Sequence, residues 1–239
     1  MSLTSVAVYE RTIRASLERI WENVLDWEHL PWLHRTTFGY VRPLATSRDG
    51  WRAESSLRGG GAPFVIDVAL ERSQLRYHSR TVEGPGTGTD IVTTLTPLHE
   101  HATAIRVEFV VPDVGVEKRD AVGAGYVGLY TRLWDEDEAM MMRRQALLDG
   151  RLAATMRTVE VDGAPCRFST VCPHLGGPLD DAPIDADGVA TCPWHGHRFD
   201  VRTERMAARV FTSAESAPGT RASSRASART RSGPLRPAR

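Results

Sequence analysis

The segment at 172–200, CPHLGGPLDDAPIDADGVATCPWHGHRFD, places the tightest limit on what this chain can fold into. It offers one thiol and one imidazole in each of two arms, Cys172 with His174 and, after seventeen intervening residues, Cys192 with His195. Glycines and prolines surround all four side chains, and these residues favour tight loops. Two such loops facing each other can hold two irons bridged by sulfide, with the cysteines on one iron and the histidines on the other. The same four side chains also suit zinc, although zinc sites usually pair cysteine with cysteine across a short gap.

Both arms, CPHLGGPL and CPWHGHRFD, resemble the Rieske [2Fe–2S] fingerprint. The resemblance implies four cluster ligands: Cys172, His174, Cys192 and His195. Gly177 and Trp194 stand where Rieske proteins of the respiratory type carry two further cysteines, so the disulfide of that type cannot form. The resemblance is therefore to the oxygenase-type centres. The alternative is a chance loop with buried cysteines and histidines.

Composition and charge exclude several other classes of protein. The chain has 239 residues with 41% hydrophobic and 25% charged residues, which is ordinary for a soluble globular protein. From residue 207 onwards it has seven Arg and one Glu, so this tail carries a charge of +6 and, since the net charge is zero, the body carries −6. An acidic body argues against a nucleic-acid partner. Three cysteines and no segment of signal-peptide or membrane-span character predict a cytoplasmic protein without a membrane contact.

Residue patterns predict an α+β organisation. Residues 5–14 alternate as a strand does, and Ser16 begins a helix that Pro31 should end or kink. From Phe38 to about Pro112, short runs rich in β-branched residues predict an antiparallel meander of five or six strands. A long helix is expected over 118–148, and Asp149-Gly150 supplies its C-cap.

Three regions follow from these patterns. Residues 1–150 are predicted to form a helix-grip domain of the START-like kind, in which an antiparallel sheet wraps around the long C-terminal helix and encloses an apolar cavity. Residues 151–206 are predicted to form a small all-β Rieske domain that begins with a hairpin around Asp162-Gly163. It looks truncated, and Glu204 stands where glycine is usual. Residues 207–239, rich in Arg, Ser and Ala, should form a disordered tail. This order of catalytic and Rieske parts is the reverse of the usual oxygenase subunit.

The segment ENVLDWEHLPWLH at 22–34 resembles the iron motif of Rieske oxygenase catalytic subunits. The resemblance implies His29 and His34 as ligands of a mononuclear iron and Asp26 as the link towards His195, which in the family usually belongs to the neighbouring subunit. On an ideal helix two residues five apart lie about 140° from each other around the axis, so a kink at Pro31 is needed to bring the two imidazoles together. The alternative is a pair of helix-end histidines that are satisfied by hydrogen bonds.

A carboxylate is expected as the third iron ligand, because non-haem iron sites of this kind use two histidines and one acid. The segment LWDEDEAMMMRRQ at 133–145 resembles the acidic segment of the family, and Asp137 is the best match. Its close rivals are Asp135, Glu136 and Glu138. The alternative for such an acidic run is a solvated helix face.

The resemblance implies an enzyme, a Rieske-type non-haem iron oxygenase with two cofactors, a [2Fe–2S] cluster and a mononuclear Fe(2+). Electrons would come from an external ferredoxin or flavin reductase that uses NAD(P)H, and the iron would activate O2 to oxidise a hydrophobic small-molecule substrate. The H-x-P-x-x-H pattern at 29–34 is closest to the branch that acts on polycyclic or macrocyclic substrates. A homo-oligomer is expected, with a trimer as one form. The alternative is a non-enzymatic Rieske electron-transfer protein or redox sensor fused to a START-like ligand-binding domain.

Overall fold

Seven antiparallel strands from the first half of the chain form one sheet in the order β1-β7-β6-β5-β4-β3-β2. The structure is a computed structural model that describes residues 3–208. The strands of this sheet are β1 Leu3–Ile13, β2 Phe38–Ser47, β3 Gly50–Leu57, β4 Phe64–Glu71, β5 Arg76–Glu83, β6 Asp90–His99 and β7 Ala102–Pro112. Strands β2 to β7 are the predicted meander, and β1 joins its far edge by pairing with β7.

Within the described residues three α-helices accompany the sheet, and their bounds are α1 Leu17–Leu25, α2 Leu30–Leu33 and α3 Arg119–Leu148. Ser16 caps α1, as predicted, because its Oγ accepts a hydrogen bond of 3.2 Å from the backbone N–H of Arg19. The expectation that Pro31 breaks this helix is wrong. The helix already ends at Leu25, and Pro31 lies in the first turn of α2, where its missing N–H costs little.

The long helix α3 packs its apolar stripe against the sheet, and this contact forms the main core. The stripe contains Tyr126, Tyr130, Trp134 and Met141, which recur at the three- and four-residue spacing of one helix face. Gly123 lies so close to β1 that a Cβ at this position would overlap the carbonyl oxygen of Val6. The antiparallel sheet, the long helix and the small sheets that follow them confirm the predicted α+β fold class.

Two small sheets follow α3. Strands β8 Met156–Val161 and β9 Ala164–Ser169 form the hairpin predicted around Asp162-Gly163, where both turn residues have positive φ (53° and 76°) as a type I′ turn requires. Strands β10 Val189–Thr191, β11 Arg198–Asp200 and β12 Arg205–Ala208 form the second sheet. The first two residues of the predicted tail, Ala207 and Ala208, therefore belong to a strand. The rest of that tail lies outside the described residues.

A second hydrophobic core fills the small β part, and α3 contributes to it. Met140 of α3 belongs to this core, and Leu33 of α2 packs against it. In residues 3–208, no helix combines the length with the apolar character that crossing a bilayer would require.

Candidate metal centres

The two arms of the Cys/His segment fold into loops with the same hydrogen-bond pattern. In the first loop, Cys172 N donates to Gly177 O (2.9 Å) and Gly176 N donates to Cys172 O (3.0 Å). In the second loop, Cys192 N donates to His197 O (2.9 Å) and Gly196 N donates to Cys192 O (2.9 Å). Gly176 and Gly196 have φ values of +82° and +66°, which other residues adopt only with strain. The glycines of both arms therefore allow two matching loops that face each other.

All four predicted cluster ligands meet between these loops. The thiols of Cys172 and Cys192 are free and buried side by side, so that the interaction between them lowers the pKa of one thiol, Cys192, and raises that of the other. The imidazoles of His174 and His195 lie perpendicular to each other with ring centroids 4.8 Å apart. Space beside the thiols depends on Gly177, since a Cβ there would lie 2.5 Å from Cys192 Sγ. The donor set and the space left by this glycine fit a [2Fe–2S] cluster.

A second group of candidate ligands lies at the junction of α2 and α3. His29, His34 and Asp137 are all buried, and each offers a ligand atom within 4.8 Å of the others. Asp137 Oδ1 lies 3.3 Å from His29 Nε2 and 3.0 Å from His34 Nε2, yet it makes no hydrogen bond of acceptable geometry. Two imidazoles and one carboxylate that converge in this way fit a metal ion with two histidine ligands and one acid, and the rings would release any bound proton on binding it.

The backbone of the segment 26–34 is not one continuous helix. Asp26 leaves the helical conformation (φ −87°, ψ 78°), a single 3₁₀ turn spans Trp27–His29, and α2 begins at Leu30. The two rings then meet edge to face with centroids 5.0 Å apart. His29 therefore ends a 3₁₀ turn and His34 lies just past α2 with a non-helical backbone (φ −92°, ψ 36°), so the chain departs from an ideal helix at the two histidines and not at Pro31.

The four acids of the 133–145 segment have different partners. Asp135 is exposed and lies 2.5 Å from Arg11, and Glu138 is paired with Arg11 and Arg14 of the β1 end. Asp137 lies three residues after Trp134 and four before Met141, on the apolar face of α3, and it is buried. Glu138 lies four residues after Trp134 and three before Met141 and is buried as well, so this spacing does not separate the two acids; their different partners do.

Glu136 has a role that the sequence did not suggest. Its Oε2 accepts a hydrogen bond of 2.6 Å from Nδ1 of His34. This bond fixes the tautomer of the ring and leaves Nε2 free to bind a metal, which is the usual arrangement around metal-bound histidines.

Burial and charge act against each other on these groups. Burial opposes the charged form of His29, but the nearby carboxylates of Asp137 and Asp26 outweigh it and raise the pKa of His29 to about 10. Burial would raise the pKa of Asp137, but the nearby imidazoles of His34 and His29 hold it well below its usual range. The carboxylate is therefore ionised, which is the state that binds a cation.

Asp26 joins the two groups of ligands within the one chain. Its Oδ2 accepts a hydrogen bond of 2.6 Å from Nε2 of His195 and lies 3.6 Å from Nδ1 of His29. The ring centroids of these two histidines are 6.4 Å apart. Burial acts against the charged form of Asp26, but the hydrogen bond from His195 and the nearby ring of His29 lower its pKa well below the usual range. A single carboxylate thus touches a candidate ligand of each centre.

A cavity of about 120 Å³ opens beside His29, His34 and Asp137. Most of its wall is apolar, and the apolar side chains come from α1, α2, the sheet and α3: Val24, Leu30, Phe38, Trp51, Ile66, Val68, Leu133 and Trp134. Asn23, Tyr77 and Ser79 supply polar groups. An apolar wall with a few polar groups beside candidate metal ligands is typical of a small-molecule site.

Comparison with known proteins identifies one domain in the second half of the chain. Residues 132–215 match the family model of the Rieske [2Fe-2S] domain, so the chain carries such a domain. The matched range contains all four predicted cluster ligands. Among characterised proteins, no sequence matches the chain at a significant level.

Solved structures resemble parts of the chain. The Zhui aromatase/cyclase from Streptomyces sp. R1128 is 14% identical with a TM-score of 0.46, covering 60% of this chain and 96% of that chain. A START superfamily protein from Mycobacterium smegmatis is 19% identical with a TM-score of 0.46, covering 58% and 98%. The quaternary ammonium Rieske monooxygenase CntA is 13% identical with a TM-score of 0.45, and the match covers 62% of this chain and 40% of that chain.

Proposed function

We propose that this protein is a Rieske-type non-haem iron oxygenase that oxidises a small hydrophobic molecule. The observation that carries the proposal is the convergence of His29, His34 and Asp137 next to the Rieske loops, with Asp26 in contact with His195 at 2.6 Å. A Rieske cluster passes single electrons and does little chemistry of its own, so its electrons need an acceptor. Two buried histidines and a buried carboxylate beside an apolar cavity supply a site for one.

In this proposal Cys172, His174, Cys192 and His195 hold the [2Fe–2S] cluster, and His29, His34 and Asp137 hold one Fe(2+). An iron with two histidines and one carboxylate as ligands keeps further positions open, and the chemistry that it supplies when bound is the activation of O2.

The other polar side chains of the site orient these ligands. Glu136 holds the ring of His34 through Nδ1, and Asp26 holds His195 through Nε2. Both carboxylates therefore keep the opposite ring nitrogen free for a metal. Because Asp26 also lies beside His29, it provides a short polar connection between the two centres.

The cavity limits the substrate in this proposal. An engineered cavity of about 150 Å³ binds benzene, so about 120 Å³ suits a molecule of similar or smaller size. This differs from the polycyclic or macrocyclic substrates that the H-x-P-x-x-H pattern suggests. Asn23, Tyr77 and Ser79 would orient one polar group of the substrate, and the apolar wall would exclude water from the reacting atoms.

The proposal includes an electron donor and a division of the chain. An external ferredoxin or flavin reductase, fed by NAD(P)H, would reduce the cluster. Residues 1–150 would form the catalytic part and residues 151–206 the cluster part, although Met140 and Leu33 already show that the two share a core.

Iron and sulfide analysis of anaerobically prepared protein tests the proposal. We expect about three irons and two sulfides per chain, and about two irons for His29→Ala with the visible spectrum of the cluster unchanged. His99→Ala, which changes an exposed histidine in the β6–β7 hairpin, is the control and should keep three irons. Equal iron content in parent protein and His29→Ala would refute the mononuclear site.

A second candidate function is favoured by one observation. Without a metal, Asp137 lies within ion-pair distance of both His29 and His34, so the group is also satisfied in charge as a buried acid between two imidazoles. In that case the first part of the chain would bind an apolar ligand and the Rieske part would act as an electron carrier or redox sensor. About two irons per chain in the parent protein, with O2 consumption independent of any substrate, would support this candidate.

A further inference from the structure

The two Rieske loops rest on the same two elements that carry the candidate mononuclear site. The segment 26–34 contacts the second loop, and α3 contacts the first loop. The Rieske oxygenase motif, by contrast, implies that a histidine of another subunit reaches the acid.

Three contacts join the segment 26–34 to the second loop. Asp26 accepts the hydrogen bond from His195, and Glu28 Oε2 lies 3.4 Å from Nε2 of His197. The indole of Trp32 covers Gly196 so closely that a Cβ on this glycine would overlap the ring. Because Gly196 has a left-handed backbone conformation and no side chain, the indole of Trp32 packs directly against the backbone of this loop.

Three contacts join α3 to the first loop and the small core. Arg143 Nε donates a hydrogen bond of 2.9 Å to Gly176 O, and the side chain of Leu147 covers Gly176 in the way that Trp32 covers Gly196. Met140 enters the hydrophobic core around the two cysteines. Each cluster loop thus presents a bare glycine, and a large side chain from the helical part covers it.

We infer that electrons pass between the two centres within one chain, in cis. Trp32 is the positioning residue in this arrangement: it fixes the second cluster loop on the segment 26–34 and so holds His195 against Asp26. The inference rests on the proposed function for its biological meaning. The docking of the two cluster loops on their own chain can be tested without any measurement of activity. Electron transfer within one chain is compatible with the reversed order of the catalytic and Rieske parts, because it does not depend on how subunits are arranged around a symmetry axis.

A photo-cross-link distinguishes docking in cis from docking in trans. The photoprobe p-benzoylphenylalanine replaces Trp32 in a chain that also carries Thr191→Ser as a mass marker, and this chain is co-expressed with an unmarked chain that has no photoprobe. After illumination and trypsin digestion, the captured peptide 168–198 carries serine if it comes from the same chain and threonine if it comes from the other. We expect the serine form alone.

A substantial threonine fraction, approaching half of the captured peptide, would overturn the inference, and so would a failure to capture this peptide. The photoprobe at Trp27, whose side chain packs against the main core, is the matched control and should capture peptides from residues 1–150. If the cross-link is in cis while iron analysis gives two irons per chain, the proposed function fails and the docking in cis stands.

The midpoint potential of the cluster tests the positioning role of Trp32. The carboxylate of Asp26, hydrogen-bonded to a cluster ligand, stabilises the oxidised cluster, so losing this contact raises the potential. Trp32→Ala should raise the potential towards the value of Asp26→Asn, and Trp32→Phe, which keeps an aromatic face on Gly196, should restore most of the parent value. A potential that is the same in Trp32→Ala and in the parent protein would refute the role of Trp32.

Discussion

Glu136→Gln should weaken Fe(2+) binding at the candidate mononuclear site while it leaves the cluster intact. The Glu136 carboxylate accepts a hydrogen bond of 2.6 Å from Nδ1 of His34, whose other nitrogen lies 3.0 Å from Asp137. A glutamine has nearly the same shape and its carbonyl oxygen can accept the same hydrogen bond, so the substitution removes the charge and keeps the geometry.

The magnitude follows from the exchange of a charged acceptor for a neutral one. A hydrogen bond to a charged group contributes about 1.5–3 kcal/mol and one between neutral groups about 1 kcal/mol, which leaves a difference of about 1–2 kcal/mol. The side chain of Glu136 is 35% exposed, so solvent screening favours the lower part of this range. We therefore expect the dissociation constant for Fe(2+) to rise about tenfold, which corresponds to about 1.4 kcal/mol.

The assay is an anaerobic Fe(2+) titration against a competing chelator, with protein that holds the cluster and lacks the mononuclear metal. Visible absorption of the cluster serves as the internal reference for folding. Asp135→Asn is the control, because Asp135 lies next in the chain and pairs with Arg11 and not with a histidine. An unchanged dissociation constant for Glu136→Gln, or an equal loss in Asp135→Asn, would refute the orientation of His34 by Glu136.

Four further substitutions test the packing. Gly177→Ala should abolish the cluster, because a Cβ would lie 2.5 Å from Cys192 Sγ. The visible absorption of the purified variant measures the cluster content, and a normal spectrum would contradict the claim that the cluster needs the space beside Gly177. Gly123→Ala and Gly125→Ala lie two residues apart on α3 and should have opposite effects in chemical denaturation. Gly125 has open space around it, so alanine should stabilise the helix by about 0.5–1 kcal/mol. Gly123 abuts Val6 O, so alanine should destabilise the protein by about 1–3 kcal/mol, and equal effects at the two positions would be inconsistent with this packing. Thr103→Val should cost about 1–3 kcal/mol, since it removes the buried 3.0 Å hydrogen bond to Ala15 O and leaves that carbonyl unpaired; an unchanged denaturation midpoint would count against it.

Local patterns in the sequence were sufficient for the elements of the fold. Ser16 at the start of α1, the β-branched runs of the meander, Gly150 after α3 and Asp162-Gly163 in the hairpin all act within a few residues of the backbone that they shape. The cluster loops were also predictable from local sequence, because the four donors at a defined spacing, together with their glycines, nearly suffice to specify the loop conformation. The match of residues 132–215 to the Rieske domain agrees with that prediction.

The positions of the helix breaks in the segment 26–34 could not be read from the sequence. Proline indicated a break at Pro31, but α1 already ends before Asp26, where the carboxylate is held by His195 from a part of the chain 169 residues away. The same holds for the choice among the four acids on α3. Their side chains are chemically alike, and the packing of the helix face against the sheet decides which of them is buried beside the histidines.

The sequence by itself determined the secondary structure, the cluster loops and the types of candidate ligand, because these depend on local backbone preferences and on donor chemistry. The tertiary structure alone decided that Asp137 meets His29 and His34, that Glu136 orients His34, and that Asp26 and Trp32 meet the second cluster loop of their own chain. These contacts join residues that are about 100 to 170 positions apart in the sequence, and contacts of such separation follow from how helices pack on a sheet and not from any local pattern.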